Sequence, residues 1–182
     1  MMIYLIIMSK LQISEFSLLP RNVFKDERGT FQKIYGSKLG EDDLTLPPII
    51  EIYSTNSKKN VLRGLHFQAL PQTVGKLIWV TNGEIIDVVV DIRPGKKFGT
   101  VTTTTVNEAS NFALWVPFGY AHGFQSATDN TVVNYATTAE YSNLFDDGIL
   151  YNSINYEWPL PISYISNRDI KFQTLNEYHQ KI

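Results

Sequence analysis

Three histidines are the side chains best suited to proton transfer in this 182-residue chain, and two of them stand beside glycines in strand-like text. His66 lies in the run VLRGLHFQ, where Gly64 would let a ligand approach the backbone closely. His122 lies in the run GYAHGF, between small residues. Either could act as a base or line a cavity, and a hydrogen-bonded core histidine is the ordinary alternative. His179 lies in a polar segment and is expected to be exposed.

A metal site needs three or four ligands close together, and metal-binding β-barrels commonly present a His-x-His pair. The positions two before and two after His66 are Gly64 and Gln68, and His122 has no histidine at that spacing. The chain contains no cysteine, which excludes disulfides, thiolate ligands and cysteine nucleophiles. The sequence therefore predicts a site with no metal.

Two cations stand in apolar, strand-like text, where an unpaired charge is costly. They are Arg63, three residues before His66, and Lys76. Arginine suits a pyrophosphate because its paired N–H donors match the phosphate oxygens. Arg28 and Asp169 lie in turn-like text and taken alone are ordinary surface charges.

The composition limits what kinds of partner are expected. The net charge is −2, the hydrophobic content is 43 % and the charged content is 19 %, which is ordinary for a soluble globular protein. No positive field points to nucleic acid or a membrane surface, so an anionic ligand would be held by a few placed cations. The apolar run Ile3–Met8 is too short to span a bilayer, and either Met1 or Met8 could be the start. We expect a cytoplasmic protein.

The elements that would position these residues are short strands. Apolar or Thr/Val-rich runs separated by turn residues extend from about Asn60 to Thr138, which predicts an antiparallel sandwich or barrel. Asn82-Gly83 between two apolar runs predicts a hairpin. Helical periodicity is weak except near Ser37–Leu44, and the Pro/aromatic-rich stretch from 156 to 164 predicts irregular chain packed over the barrel. No linker interrupts the chain, so we expect one domain over residues 1–182, with an irregular tail from 156 to 182.

Six motifs in register together resemble the dTDP-4-dehydrorhamnose 3,5-epimerase family. They are the runs DERGTF, NVLRGLHFQ, GKL, GEIIDVVVDIR, WVPFGYAHGF and SNRD, which begin at Asp26, Asn60, Gly75, Gly83, Trp115 and Ser166. The match extends from about Val23 to Asp169. It implies an all-β cupin jelly roll (a double-stranded β-helix) with short peripheral helices. It also implies a homodimer in which an N-terminal strand, within residues 1–20, joins the partner's sheet.

The resemblance implies a role for each matching residue. His66 matches the general base, oriented by Asp169, and Tyr135 matches the general acid on the opposite face of the sugar. Lys76 matches the residue near the C4 oxygen. Groups around the diphosphate and other pocket positions are matched by Arg28, Phe31, Arg63, Gln68, His122, Tyr141, Asp147 and Arg168. Asp147 matches less directly, because the loop before Gly148 is one residue longer.

The implied reaction is inversion of C3, C5 or both in a nucleotide-linked 4-keto-6-deoxyhexose. The ketone acidifies the neighbouring C–H bonds, so no redox cofactor is needed. Lysine beside the enolate oxygen would lower the barrier, and tyrosine would return the proton from the other face. The resemblance also implies a product that enters a surface polysaccharide or a glycosylated metabolite.

The chain departs from the family pattern at the positions that hold the nucleoside. Lys33 replaces a usual glutamate, and Glu51-Ile52-Tyr53 replaces a usual Gln-x-Asn. Ala136 replaces a lysine after the tyrosine. These changes alter charge and hydrogen-bond donors, which favours a base other than thymine, for instance in a CDP-sugar. A compensating Lys33–Glu51 ion pair is the alternative.

Three other functions compete with epimerisation. A cupin that binds a sugar nucleotide without turnover is one, a ketoisomerase that moves the carbonyl along the ring is another, and a metal-dependent oxygenase is the third. Loss of His66, Tyr135 or Asp169 would favour the first, and all three are present. The missing ligand pattern disfavours the oxygenase.

Overall fold

The computed structural model describes residues 14–36 and 46–182. Its strands are β1 Ser17–Pro20, β2 Val23–Asp26, β3 Gly29–Gln32, β4 Glu51–Ser57, β5 Leu62–Gln68, β6 Lys76–Asn82, β7 Glu84–Asp91, β8 Val101–Asn107, β9 Phe112–Val116, β10 Tyr120–Ser126, β11 Thr131–Thr137 and β12 Asp146–Gly148. The predicted helical stretch near Ser37–Leu44 and the apolar run Ile3–Met8 lie outside the described residues.

Two five-stranded antiparallel sheets form the body of the protein. One sheet has the order β1-β9-β6-β11-β4, and the other has the order β12-β5-β10-β7-β8. Val, Ile and Thr dominate β7, β8 and β11, as expected of residues that suit a pleated surface packed on one side. The all-β jelly-roll prediction is confirmed.

The predicted Asn82-Gly83 hairpin is wrong. β6 pairs with β9 and β11, whereas β7 pairs with β8 and β10, so the turn carries the chain from one sheet to the other. A two-residue hairpin turn of this type needs positive φ at both central residues. Only Gly83 has it, at +78°, and a Cβ there would lie 2.3 Å from the Thr128 hydroxyl oxygen. The local signal marked the turn correctly, but the pairing partners were set by the packing of the two sheets.

The main core lies between the two sheets. Alternate side chains of β6 and β11 meet those of β7 and β10, for example Ile78, Val133, Val89 and Phe124. A second apolar cluster lies on the outer face of β5, β7 and β10, around Leu65, Phe67, Val88, Val90 and Ala121. Because strand residues alternate between faces, burying these positions turns the residues between them on β5 toward the interior. One end of that interior is left open as a cavity.

The C-terminal segment covers the outer cluster. Tyr156 and Trp158 pack against it within irregular chain. The segment also contains a short 3-10 helix, Asp169–Lys171, and one helix, α1 Leu175–His179, whose N-terminus has a Thr174–Glu177 capping box. No helix among the described residues is long and apolar enough to cross a bilayer.

The described N-terminal part forms a strand within its own chain. β1 pairs with β9, and the strand that would join a partner's sheet stays a prediction. Residues 1–13 of the expected arm lie outside the described residues. β2 and β3 form a separate two-stranded sheet that pairs with neither five-stranded sheet. Phe24 and Phe31 on this hairpin are 59 % and 65 % exposed.

Candidate active site

A cavity of about 370 Å³ opens between the two sheets. The predicted site residues that line it are Glu51, Tyr53, Arg63, His66, Gln68, Lys76, His122, Tyr135, Tyr141 and Arg168. Asp169 lies behind His66 and lines a neighbouring cavity that shares His66 and Arg168. Side chains far apart in sequence thus meet at one end of the sandwich.

The two walls of the cavity carry different chemistry. β5 and β10 of one sheet carry Arg63, His66 and His122, and His66 pairs directly with His122 across the strands. The opposite sheet supplies Lys76 from β6 and Tyr135 from β11. A ligand between the sheets would therefore meet imidazoles on one side and a phenol on the other.

His66 and Asp169 form a hydrogen-bonded pair. The Nε2 atom of His66 lies 2.9 Å from Oδ1 of Asp169, whose side chain is 3 % exposed. The other carboxylate oxygen accepts from the Gly64 amide at 3.0 Å, and the Asp169 amide donates to the Ser166 hydroxyl. These bonds hold the carboxylate at the back of the imidazole.

Arg168 competes with Asp169 for the same ring nitrogen. Its Nη2 atom lies 2.7 Å from Nε2 of His66, its Nε donates to Asp169 and its Nη1 donates to Asp146. Nε2 either donates to Asp169 or accepts from Arg168. Only the first arrangement leaves a lone pair on Nδ1, which a base requires.

The surroundings set the pKa values of the pair. Burial lowers the pKa of His66, Asp169 opposes that shift through its hydrogen bond and charge, and Lys76 and Arg168 lower the pKa further. Burial alone would raise the pKa of Asp169. The hydrogen bond and charge of His66 and the Gly64 amide outweigh burial, so the Asp169 pKa lies well below its usual range. The lowered pKa of His66 favours a neutral imidazole beside an ionised Asp169 carboxylate at neutral pH.

Lys76 lies close to His66 on the opposite wall. Its Nζ donates to the backbone carbonyl of His66 at 3.2 Å. Burial lowers the pKa of Lys76 to about 8, while the charges of Asp146 and Asp87 oppose the shift. The ammonium can then stabilise an oxyanion that develops in the cavity.

Tyr135 is a buried phenol in the cavity wall, 6 % exposed. Burial raises its pKa well above the ordinary value, the charges of Tyr53 and Asp87 add to that shift, and Thr55 and Arg63 oppose it. The hydroxyl stays protonated at neutral pH. It can donate a proton from the wall opposite His66.

A second His–Asp pair lies beside the first. Nε2 of His122 is 2.6 Å from Oδ2 of Asp87, and both side chains are almost completely buried. The other Asp87 oxygen is buried without a hydrogen-bond partner. Asp87 belongs to the GEIIDVVVDIR motif, but no role was predicted for it. The signal was present, because Asp87 breaks the apolar run of β7 on its inward face.

Gln68 lines the cavity, but its amide is occupied by backbone. Its Nε2 donates to the carbonyls of Gln72 and Glu140, and its Oε1 accepts from the Ser142 amide at 2.6 Å. Gln68 therefore ties two loops at the cavity rim together. The second loop also carries Tyr141, whose amide donates to Glu51.

Besides Asp169, four of the predicted residues do not line this cavity. Arg28, Phe31 and Lys33 lie on or next to the separate β2–β3 hairpin, and Arg28 is paired with Asp26 in solvent. Asp147 pairs with the outward-facing Phe67 and accepts from Gln173, because alternate residues of β12 face opposite sides. Its neighbour Asp146 lines the cavity instead.

The sequence also raised a Lys33–Glu51 ion pair and the question of a metal site. Among the ion pairs of the described residues there is none between Lys33 and Glu51, and Glu51 lines the cavity. Within residues 14–36 and 46–182, no three His, Cys, Asp or Glu side chains are placed to hold a metal ion.

The two-sheet jelly roll holds a cavity with groups that can transfer protons on both walls, as a β-sandwich isomerase requires. The sequence matches the family model described as dTDP-4-dehydrorhamnose 3,5-epimerase over residues 10–177. The chain belongs to the dTDP-4-dehydrorhamnose 3,5-epimerase family, and it is an isomerase that acts on carbohydrates.

Individual relatives agree along nearly the whole chain. The dTDP-4-dehydrorhamnose 3,5-epimerase of Shigella flexneri is 36 % identical over 168 residues, covering 90 % of this chain and 93 % of that protein. The dTDP-4-dehydrorhamnose 3,5-epimerase of Sulfolobus tokodaii is 35 % identical in sequence. Its crystal structure matches with a TM-score of 0.81, covering 92 % of this chain and 93 % of that one. A Legionella pneumophila epimerase in complex with dTDP-4-keto-L-rhamnose is 32 % identical with a TM-score of 0.80, covering 92 % and 91 %.

Proposed function

We propose that the protein inverts C3, C5 or both in a nucleotide-linked 4-keto-6-deoxyhexose. The observation that carries the proposal is the placement of His66 and Tyr135 on opposite sheets facing one cavity, with Lys76 lining it as well. Inversion needs a base on one face of a carbon and an acid on the other, and this arrangement supplies both.

The proposed steps use only side chains of the cavity. Nδ1 of His66 removes the proton from the carbon next to the ketone, and the electron pair moves onto the C4 oxygen. Lys76 stabilises that oxyanion, an effect worth roughly 3–4 kcal/mol for a well-placed donor. Tyr135 donates its proton to the other face of the carbon. His66 then releases a proton to water and the Tyr135 phenolate regains one, so the balance is zero.

Asp169 acts on His66 rather than on the substrate. Its carboxylate selects the Nε2–H tautomer and stabilises the imidazolium that forms, as a carboxylate behind a catalytic histidine does. Proton removal should therefore depend on Asp169 even though the carboxylate does not touch the sugar.

Two arginines that line the cavity suit a diphosphate. Arg63 donates to Ser57 and to the Asn56 carbonyl, which leaves Nη1 for a ligand. Arg168 lines the cavity as well, and so does the imidazole of His122. A nucleoside diphosphate attached to the sugar would match the two guanidinium charges.

Glu51 favours a base different from thymine. It is an acceptor-only carboxylate that lines the cavity where the family usually has an amide. Cytosine offers an exocyclic amino donor that thymine lacks, and carboxylates accept from it. A CDP-linked sugar is therefore a candidate beside the dTDP-sugars that the relatives' names indicate.

We also propose that the active form is a homodimer. The hairpin that carries Arg28 and Phe31 lies apart from the cavity of its own chain. Phe24, Ile50 and Ile52 are exposed as well, at 57–69 %. Large exposed apolar side chains of this kind favour association.

NMR in D₂O with 4-keto-6-deoxyglucose linked to dTDP and, separately, to CDP tests the proposal. We expect the C3 signal, the C5 signal or both to disappear, with an inverted product, for at least one nucleotide. Movement of the carbonyl along the ring would instead indicate a ketoisomerase. Tight binding of both compounds without exchange would indicate a non-catalytic protein.

A further inference from the structure

Tyr53 occupies a position where the family usually has asparagine. It lies on β4, an edge strand of its sheet, directly opposite Tyr135 on β11. The two rings are stacked, with centroids 4.8 Å apart and planes inclined by 15°. Both rings line the cavity. An asparagine could not form this contact, because it has no ring.

The stack encloses the phenol that is assigned the acid role. β4 lies outside β11 at the edge of the sheet, so the Tyr53 ring lies between Tyr135 and that edge. Tyr53 is accordingly 39 % exposed and Tyr135 only 6 %. His122 closes another side of Tyr135. The two rings meet in a T-shaped arrangement, with centroids 6.2 Å apart. Tyr135 is thus held between an aromatic face and an imidazole.

We propose that Tyr53 is a positioning residue that fixes the ring of Tyr135 so that its hydroxyl meets the substrate carbon from the face opposite His66. This inference depends on the proposed function. Stacked aromatic pairs favour one ring orientation beyond the effect of burial alone. The Tyr53 hydroxyl is not needed for this role, whereas its ring is.

If the Tyr135 ring is misplaced, the ratio of inversion to solvent exchange changes. Once His66 has removed the proton, the enolate carbon can regain a hydrogen from His66 on the same face or from Tyr135 on the other. Return from His66 after solvent exchange gives labelled substrate without inversion. Return from Tyr135 gives the inverted product. A misplaced Tyr135 lowers the second outcome relative to the first.

The test measures deuterium incorporation and inversion in the same D₂O sample for the full-length wild type and for Tyr53→Ala, Tyr53→Leu and Tyr53→Phe. We expect the ratio of inversion to exchange to fall about three- to tenfold in the Ala and Leu variants, which lack the ring. The Phe variant, which keeps the ring, should stay within about twofold of wild type. The ratio does not depend on how much enzyme is folded, and Leu retains most of the apolar volume if Ala proves unstable.

Several outcomes would overturn the inference. An unchanged ratio in Tyr53→Ala or Tyr53→Leu would do so, as would a raised KM alone, which would mean that Tyr53 only contacts the substrate. A Phe variant as impaired as the Ala variant would assign the role to the hydroxyl. If the wild type exchanges the substrate proton and the variants keep its ratio of inversion to exchange, only the role of Tyr53 is overturned. No exchange by wild type with either nucleotide would overturn the proposed function, and this inference with it.

Discussion

The proposed chemistry requires His66 to be deprotonated and Lys76 to be protonated. The base has to be neutral and the oxyanion partner has to be protonated. Burial lowers both pKa values, which favours the neutral histidine but brings the lysine close to losing its proton. The pH range in which both are correct lies between the two pKa values.

This requirement predicts a bell-shaped pH profile of kcat/KM. Activity should rise with pH as His66 loses its proton, with the acid limb below the ordinary histidine pKa of 6.5. It should fall near pH 8 as Lys76 deprotonates, since burial lowers its pKa to about 8. Initial rates from about pH 5 to about pH 10 would show both limbs.

Lys76→Met should remove the alkaline limb near pH 8 and reduce kcat by about 10²–10³-fold, because the oxyanion loses its cation. Lys97→Met is the control, since Lys97 is exposed and pairs with Glu15 away from the cavity. A Lys76→Met enzyme with normal kcat would remove the lysine from the mechanism.

Asp169→Asn tests the tautomer argument. An amide nitrogen would donate to Nε2 of His66, which moves the ring proton to Nδ1 and blocks the base. We expect a loss of about 10²–10⁴-fold in kcat/KM. The residual acid limb should move to lower pH, because Asp169 raises the pKa of His66. A limb that moves to higher pH, or a normal rate, would contradict the account.

The residue types at the site were more predictable from the sequence than the contacts between them. The histidines, Lys76 and the apolar text around Arg63 pointed to a cavity, and the family resemblance supplied Tyr135 and Asp169. The Asp87–His122 pair and the approach of Arg168 to His66 were not predicted. Those contacts depend on strand register and on the path of the C-terminal segment, which no local pattern encodes.

At the scale of the elements, β5 and β10 approach closely enough to place His66 beside His122. A Cβ on Gly64 would lie 2.6 Å from the Cα of Gly123, and Gly64 has a φ of +120°. Strand boundaries were largely predictable from Val/Ile/Thr runs, but the partners of β6 and β7 were not. Alternation defines which face of a strand is apolar, and it does not define which sheet the strand joins.

Gly64→Ala should destabilise the protein through both backbone strain and collision with β10. Gly95→Ala is a matched control, because Gly95 has a φ of +131° but nothing within 4 Å of its Cβ position. We expect Gly64→Ala to cost about 1–3 kcal/mol more than Gly95→Ala in urea unfolding. Equal losses in the two variants would mean that the close approach of the strands is unimportant.

At the scale of the whole molecule, the β2–β3 hairpin that carries Arg28 does not line the cavity of its own chain. Arg28, Phe31 and Lys33 stand at pocket positions of the family by sequence, while the single chain leaves them outside. Sequence motifs do not say which subunit supplies a residue. A site completed by a second copy would reconcile the two observations.

Subunit complementation tests that arrangement. Arg28→Ala and His66→Asn should each be impaired alone. After the two are mixed and allowed to re-form dimers, about a quarter of wild-type activity should appear, because half of the dimers are mixed and one of their two sites is intact. If the hairpin serves its own chain, every site carries one defect and no activity returns.

The central claim is that His66 removes the proton next to the ketone, and the most direct measurement is solvent exchange by His66→Asn. The variant would be incubated in D₂O with whichever nucleotide-linked 4-keto-6-deoxyglucose the wild type accepts, and the C3 and C5 signals followed by NMR. We predict exchange below about 1 % of the wild-type rate, with an unchanged circular dichroism spectrum. Exchange at near the wild-type rate in a folded His66→Asn enzyme would show that another group is the base.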